Sequence, residues 1–308
     1  MIRRSALLAV AIATSVATAG CGLGAGSGTG DVTLTVSRGF GAQPVAQLTV
    51  ARVPGSETVM RMLERRFRVS TRYGGGYVES IDGLAGGPPH LDWFYYVNGV
   101  EASKGAATTP VHQGDRIWWD LHDWSAVQDI PAVVGSFPEP FVHGVGGKRL
   151  PTVLECGAEV GGACRRVSDE MTAIGVPVAS QLIGTGSGTD SLTVVVGTWR
   201  DLRGEIVASL LGQGPGASGV YAKFTGPNGE RLQLLDPQGR AVRTIGAGAG
   251  LIAATSEGSS EPTWLITGTD AAGVSAAATA FTPAALRDHF ALAVTGTSRI
   301  PVPVDGTG

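Results

Sequence analysis

The sequence predicts an α+β protein, in which a small domain with one helix on a mixed sheet is followed by a compact α/β domain. Two observations lead to this class. Between residues 31 and 124, apolar and polar residues mostly alternate, as in half-buried strands, and one segment has helical spacing. In residues 151–308, strand-like and helix-like segments alternate along the chain, which is typical of an α/β domain.

The first 20 residues have the features of an export signal. Arg3-Arg4 is followed by an apolar run over residues 6–17, and Thr18-Ala19-Gly20-Cys21 resembles the lipobox of bacterial lipoproteins, with Thr18 where Leu is usual. The resemblance implies cleavage before Cys21 and a lipid on its thiol; a plain secretory signal is the alternative. Residues 21–30 would then be a Gly-rich tether. We therefore expect an exported chain, lipid-anchored to the outer face of the cell membrane.

Cys156 and Cys164 are the two cysteines left after Cys21 is assigned to the lipid. An even pair in an exported chain most simply forms a disulfide, and neither a CxxC spacing nor a nearby histidine supports a metal or redox pair. The formal net charge is −3, so electrostatics gives no reason to expect nucleic acid as a partner.

The elements of the first half follow from local patterns. Residues 31–36 and 48–53 read as strands, and Ser56 fits the N-cap of a helix whose apolar positions lie between residues 59 and 67. Two further strands, Trp93–Gly99 and Arg116–Leu121, carry most of the aromatic residues of this half. At the end of the first of these segments, Asn98-Gly99 predicts a type I′ turn, because both residues tolerate positive φ.

The pleat of these two strands sorts the aromatic side chains into faces. Phe94, Tyr96 and Asn98 share one face of the first strand. In the second strand Trp119 falls on the apolar face, whereas Trp118 shares a polar face with Asp120 and His122. We therefore predict that Trp119 is core and that Trp118 faces solvent as a platform for a flat ligand. The alternative is that all these rings fill a small core.

A known family matches the order of these motifs. Ile81-Asp82-Gly83 after the helix, the segment Trp93–Gly99, and Gly114-Asp115 before a Trp-containing strand resemble the C-terminal domain of transcobalamin and intrinsic factor, over about residues 31–124. The resemblance implies a β-grasp-like fold and a cobalamin or similar corrinoid as ligand. The candidate ligand-binding residues are Trp118, Tyr96, Phe94, Asn98, Tyr77 and Gly75. The glycines at 74–76 either let a ligand approach the backbone or only close a turn.

No metal site and no catalytic site are predicted. Asp120 and His122 share a strand face, but no third ligand is spaced to join them. Gly246-Ala247-Gly248-Ala249-Gly250 lacks the spacing of a dinucleotide fingerprint, and no nucleophile motif is present. Arg200 and Asp201 follow a strand and fit either a ligand site or a helix cap with its ion pair. We expect no enzyme and no catalytic cofactor.

Two functions remain, with an exported enzyme as a weaker third. The first is a lipid-anchored extracytoplasmic binding protein, holding a corrinoid or similar large planar ligand for uptake by a membrane transporter. The second is a cell-surface module that binds protein or glycan without catalysis. In both, residues 125–150, rich in Pro, Gly and Val, are predicted to be a linker to residues 151–308, whose role the sequence does not indicate.

Overall fold

The computed structural model describes residues 30–87, 89–186, 188 and 190–305. The predicted signal, Cys21 and nearly all of the tether lie outside the described residues. Within the described ranges, no helix is long and apolar enough to cross a membrane. The elements mix sheets and short helices, so the predicted α+β class is confirmed.

Among its described residues, the first half has one α-helix, α1 (Val59–Glu64), and eight strands. The strands are β1 (Val32–Arg38), β2 (Gln43–Val50), β3 (Val69–Arg72), β4 (Tyr77–Ile81), β5 (Leu84–Ala85), β6 (Leu91–Val97), β7 (Val100–Glu101) and β8 (Arg116–Asp123). Five of them form a sheet in the order β2-β1-β8-β6-β7, and β3-β4-β5 form a small second sheet. β1 and β8 are parallel and the other neighbours are antiparallel, so the main sheet is mixed.

Helix α1 packs on one face of this mixed sheet. Val59 and Leu63 are fully buried in the same apolar cluster as Trp119, which confirms that Trp119 is core. The helix begins after Thr58, whose hydroxyl accepts a hydrogen bond from the backbone N–H of Arg61 at 3.3 Å. The predicted cap, Ser56, is two residues too early because Thr58 also offers a hydroxyl at the correct spacing.

The predicted turn at Asn98-Gly99 is confirmed. Asn98 has φ 55° and Gly99 has φ 77°, the left-handed conformation that a type I′ turn needs at both central residues. A Cβ atom at Gly99 would also lie 2.8 Å from the carbonyl oxygen of Val133. The turn therefore fixes the register of β6 with β7 and lets another segment approach closely.

The part of the second half that the structure describes forms ten strands and six α-helices. The strands are β9 (Thr152–Cys156), β10 (Val178–Leu182), β11 (Leu192–Thr198), β12 (Ala222–Thr225), β13 (Arg231–Leu235), β14 (Ala241–Ile245), β15 (Ala249–Thr255), β16 (Thr263–Gly268), β17 (Ala291–Thr295) and β18 (Ser298–Val302). The helices are α2 (Gly161–Ala173), α3 (Trp199–Leu202), α4 (Ile206–Gln213), α5 (Pro215–Ser218), α6 (Ala271–Ala280) and α7 (Pro283–Leu286).

A seven-stranded sheet in the order β10-β9-β11-β16-β15-β17-β18 organises this half. The first four strands are parallel and the last three are antiparallel to their neighbours. Helices α2 and α6 cover one face, and α4 with the small sheet β12-β13-β14 covers the other. Cys156 and Cys164 form a disulfide between the end of β9 and α2, as predicted.

Residues 125–150, predicted to be a linker, are packed between the halves. Val127, Val133 and Phe141 are at most 2% exposed. The N–H of Val133 donates to the carbonyl oxygen of Gly99 at 2.8 Å, and the N–H of Val134 donates to that of Phe290 at 3.2 Å. This segment, which we call the strap, contributes to the apolar clusters of the second half and ties both halves together.

Candidate functional site

The sheet face that carries Trp118 is covered by the second half of the chain. Trp118 is 3% exposed and Tyr96 is fully buried. Phe290 packs edge-on against both, with ring centroids 5.2 Å and 5.5 Å away. The prediction that Trp118 faces solvent is wrong, because the strand face with polar neighbours is a contact face between the halves.

Two glycines let the backbone close over the Trp118 ring. A Cβ atom at Gly41 would lie 2.0 Å from the carbonyl oxygen of Asp288 and 2.9 Å from Trp118 Cζ2. A Cβ atom at Gly135 would lie 2.7 Å from Trp118 Cζ3. The indole N–H also donates to Ser37 Oγ at 2.7 Å. A planar ligand therefore has no open ring face to stack on here.

The polar residues beside Trp118 hydrogen-bond to one another, although His122 Nε2 has no partner among the described residues. The Asp120 carboxylate accepts hydrogen bonds from the Ser37 hydroxyl at 2.5 Å and from the backbone N–H groups of Phe40 and Gly41 at 2.9 Å each. His122 Nδ1 lies 3.0 Å from Asp120 Oδ1. The network explains how a strand with Asp and His can be buried.

The faces of the His122 ring are covered as well. Phe40 and Phe94 stack against the imidazole, with centroids at 4.6 Å and 4.5 Å. Among the described residues, no group of three or more His, Cys, Asp or Glu side chains could hold a metal ion.

The six predicted ligand-binding residues do not form one site. Trp118, Tyr96 and the half-buried Phe94 belong to the contact between the halves. Asn98 is fully buried, and its amide donates to Asp115 Oδ1 and to the carbonyl oxygen of Gly144, each at 2.8 Å, so it holds the turn in place. The remaining two, Tyr77 and Gly75, lie partly exposed on the separate β3-β4 hairpin.

Arg200 and Asp201 serve the local fold, which was one of the two predicted alternatives. Thr198 and Asp201 form a reciprocal capping box at the start of α3. Arg200 forms an ion pair with Glu159 at 3.1 Å.

An open groove runs along the boundary between the halves. Its middle is a cavity of about 720 Å³ lined by residues 100–103, Asp129 and Pro131 of the first half and the strap, and by residues 256, 258–262 of the second half. Through residues 259–261 it joins a cavity of about 440 Å³ on the second sheet, and through residues 100–103 a pocket of about 250 Å³. We call these three spaces the inter-half groove; their sizes suit small-molecule ligands.

Acidic side chains dominate the inter-half groove. The carboxylates that line its two larger cavities are Glu101, Asp129, Glu155, Glu205, Glu257 and Glu261. No Lys or Arg stands among the described lining residues of those two cavities, whereas Lys104 and His112 line the smallest pocket. The larger part of the groove therefore has a negative potential.

Several of these carboxyl groups are held in an unfavourable environment. Burial, together with the smaller effect of the neighbouring Asp129, raises the pKa of Glu101 to about 8, while the backbone N–H of Ile130 acts in the opposite direction. Burial also raises the pKa of Glu155 and Glu261. Titratable groups with perturbed pKa values in a cleft are a common mark of a functional site.

Comparisons with known proteins cover part of the chain. A family model described as "Domain of unknown function (DUF4430)" matches residues 56–123. The match is confined to the first half. A crystal structure at 1.30 Å resolution of a candidate metal-binding protein from Ruminococcus gnavus has 18% identity and a TM-score of 0.25, and the alignment covers 30% of this chain and 97% of that one. No curated protein matches the chain.

Sequence reasoning missed the groove residues. Glu101 follows a recognised hairpin, but Asp129 lies in the strap and Glu257 and Glu261 lie in the loop before β16. Loop carboxylates have no periodicity that would link them. Their proximity depends on how the strap places one half against the other.

Proposed function

We propose that this chain is an extracytoplasmic binding protein and that its ligand lies in the inter-half groove. The observation that supports this most is the pair Glu101 and Asp129, two acidic groups that line a cavity to which both halves contribute and whose interaction helps to raise the pKa of Glu101. Placing such a pair together is costly for the fold alone. A ligand that offers positive charge or N–H donors would offset this cost.

For the ligand, we propose a corrinoid or a similarly large molecule with an amide rim. The support is the resemblance of residues 31–124 to the C-terminal domain of transcobalamin, together with the size and charge of the groove. Amide N–H groups on a ligand rim would donate to Glu101, Glu257 and Glu261. In this proposal the edge of the groove recognises the ligand, and Trp118 contributes only by holding the halves together.

Export, the lipid on Cys21 and delivery to a membrane transporter are part of the same proposal. An anchored receptor would keep its ligand near the membrane, where a transporter could accept it. The sequence features at residues 1–30 are the support for this step.

Equilibrium dialysis of the full protein against cyanocobalamin tests the ligand. We expect binding at or below about 0.1 mM, and we expect the double variant Glu101→Gln, Glu261→Gln to weaken it by about tenfold or more. Glu64→Gln, an exposed position on α1, is the matched control and should bind like the unmodified protein. Absence of binding by the unmodified protein would reject the corrinoid.

The broader proposal has its own test. Mass spectrometry of protein isolated from its native membrane fraction should detect a co-purifying small molecule, which the double variant should lose and Glu64→Gln should keep. A groove that is empty in all three preparations under mild isolation would count against ligand binding.

The second candidate function, a surface interaction module, has one observation in its favour. Tyr73 is 88% exposed at the end of β3, beside the partly exposed Tyr77. Exposed tyrosines are frequent in protein interfaces. Loss of partner binding on Tyr73→Ser, with ligand binding unchanged, would support this function.

A further inference from the structure

A separate cleft of about 220 Å³ lies beside Trp118, on the boundary between the halves. It shares no lining residue with the inter-half groove. Trp118 forms part of its wall, although the faces of its ring are covered. The cleft is too small for a whole corrinoid and has the size of a single small group.

Two guanidinium groups line this cleft from opposite halves. Arg116 of β8 is held by hydrogen bonds from its Nη1 to the carbonyl oxygens of Ser136 at 3.3 Å and Phe137 at 2.9 Å. Arg287 follows α7, is exposed, and forms no hydrogen bond or ion pair with the part of the chain that the structure describes. Two arginines therefore line one small space, and Arg287 forms no hydrogen bond with the described residues.

Two carboxyl groups offset part of the charge of the arginine pair. Burial and the neighbouring Arg287 lower the pKa of Arg116, whereas Glu139 and Asp288 raise it. Asp288, the one carboxyl group among the described lining residues, has a pKa raised by burial, while Arg287, His289 and Arg116 act in the opposite direction. Glu139 is already bound by His143, which lies 2.6 Å from it through Nδ1.

Neutral hydrogen-bond donors surround the same space. The register of the sheet places Thr35 of β1 between Gln47 of β2 and Trp118 of β8, and Thr33 beside Arg116. The side chains of Thr33, Thr35 and Gln47 line the cleft and have no hydrogen-bond partner among the described residues. Hydroxyl and amide donors next to paired guanidinium groups are the usual surroundings of a bound oxyanion.

We propose that this cleft binds a phosphate group between Arg116 and Arg287, with Thr33, Thr35 and Gln47 as additional donors. The phosphate is either free in solution or part of a phospholipid headgroup, because both present the same oxygens. Binding here would join the two halves through one shared anion. The proposal does not depend on what occupies the inter-half groove.

Calorimetric titration of the full protein at low ionic strength tests the site. The two probes are inorganic phosphate and a short-chain phosphatidylglycerol below its critical micelle concentration, with chloride as the reference anion. Binding of phosphate would identify a free anion, and binding of phosphatidylglycerol alone would identify a headgroup. Either result supports the site if it depends on Arg287.

The variant Arg287→Gln tests whether binding depends on Arg287. We expect about a tenfold or greater loss of affinity with an unchanged melting temperature, because Arg287 is exposed and makes no contact that holds the fold. Arg299→Gln, an exposed arginine on β18, is the matched control and should bind normally. The proposal is overturned if neither probe binds, or if Arg287→Gln binds as well as the unmodified protein.

Discussion

The boundary between the two halves is closed over the ring faces of Trp118 and open at Glu101. At Trp118, the rings of Tyr96 and Phe290 and the backbone near two glycines cover the indole and leave only a small cleft beside it. At Glu101, the same boundary leaves a cavity of about 720 Å³ lined by carboxylates. The comparison teaches that the closed part sets the distance between the halves, and that this distance gives the open part its shape.

Truncating Trp118 should disrupt the packing between the halves, and it should cause the largest loss of stability among the variants that we consider. Trp118→Ala should lower the free energy of unfolding by about 3 to 5 kcal/mol, because it leaves a cavity and removes the donor to Ser37. Urea denaturation followed by circular dichroism measures the change. Tyr73→Ala, at an exposed position, should change stability by no more than about 0.5 kcal/mol. A loss below about 1 kcal/mol for Trp118→Ala would show that the contact does not hold the halves together.

Raising the pH should lower the free energy of unfolding through Glu101, which lies in the open part of the boundary. Glu101 has an ordinary pKa of 4.5 and a folded-state pKa of about 8, so the folded protein retains a proton that the unfolded chain releases between these values. The stabilisation is complete below pH 4.5 and is lost as the pH rises through about 8. We expect the free energy of unfolding to fall by a few kcal/mol over this window, since one unit corresponds to about 1.4 kcal/mol.

The variant Glu101→Gln sharpens this test. Glutamine does not titrate, so the slope of stability against pH should become shallower and the variant should be more stable than the unmodified protein at pH values near 8. Urea denaturation across the pH window measures both. An unchanged slope in the variant would mean that Glu101 is not the group responsible.

A smaller effect should come from adding one methyl group to the closed part. Gly135→Ala would place Cβ 2.7 Å from the backbone nitrogen of His289 and from Trp118 Cζ3, so the halves must shift apart slightly. We expect a loss of about 1 to 2 kcal/mol and weaker binding in the inter-half groove. Gly55→Ala is the matched control, since its Cβ would meet no atom within 4 Å and its φ is not positive. Equal melting temperatures for the two variants would contradict this prediction.

Local patterns were enough to predict much of the fold. Alternation predicted the strands, Asn98-Gly99 predicted its turn, and the two cysteines predicted their disulfide, because each depends on residues near one another in the sequence. Trp118 could not be placed in this way. Its strand neighbours Asp120 and His122 suggested solvent, but they bond to each other, and Asp120 also accepts from Ser37. The ring that covers Trp118 comes from the far end of the chain.

The strap also could not be predicted from local patterns, and this affects the candidate site. Val127, Val133 and Phe141 show neither the helical nor the strand period, so composition alone indicated a linker. Their burial became evident only from the long-range contacts with Gly99 and Phe290. The groove depends on those contacts, so its carboxylates could not be grouped from the sequence.

The burial of the strap also limits how cargo could be exchanged. Many two-lobed receptors open and close by rotation about a flexible joint. Here the strap connects the halves, and its residues Val133 and Phe141 are fully buried in apolar clusters. A rotation of one half away from the other would therefore expose apolar surface on both halves. A ligand would therefore have to enter and leave through the solvent-exposed opening of the inter-half groove. A membrane transporter that accepts the ligand would have to approach from that side.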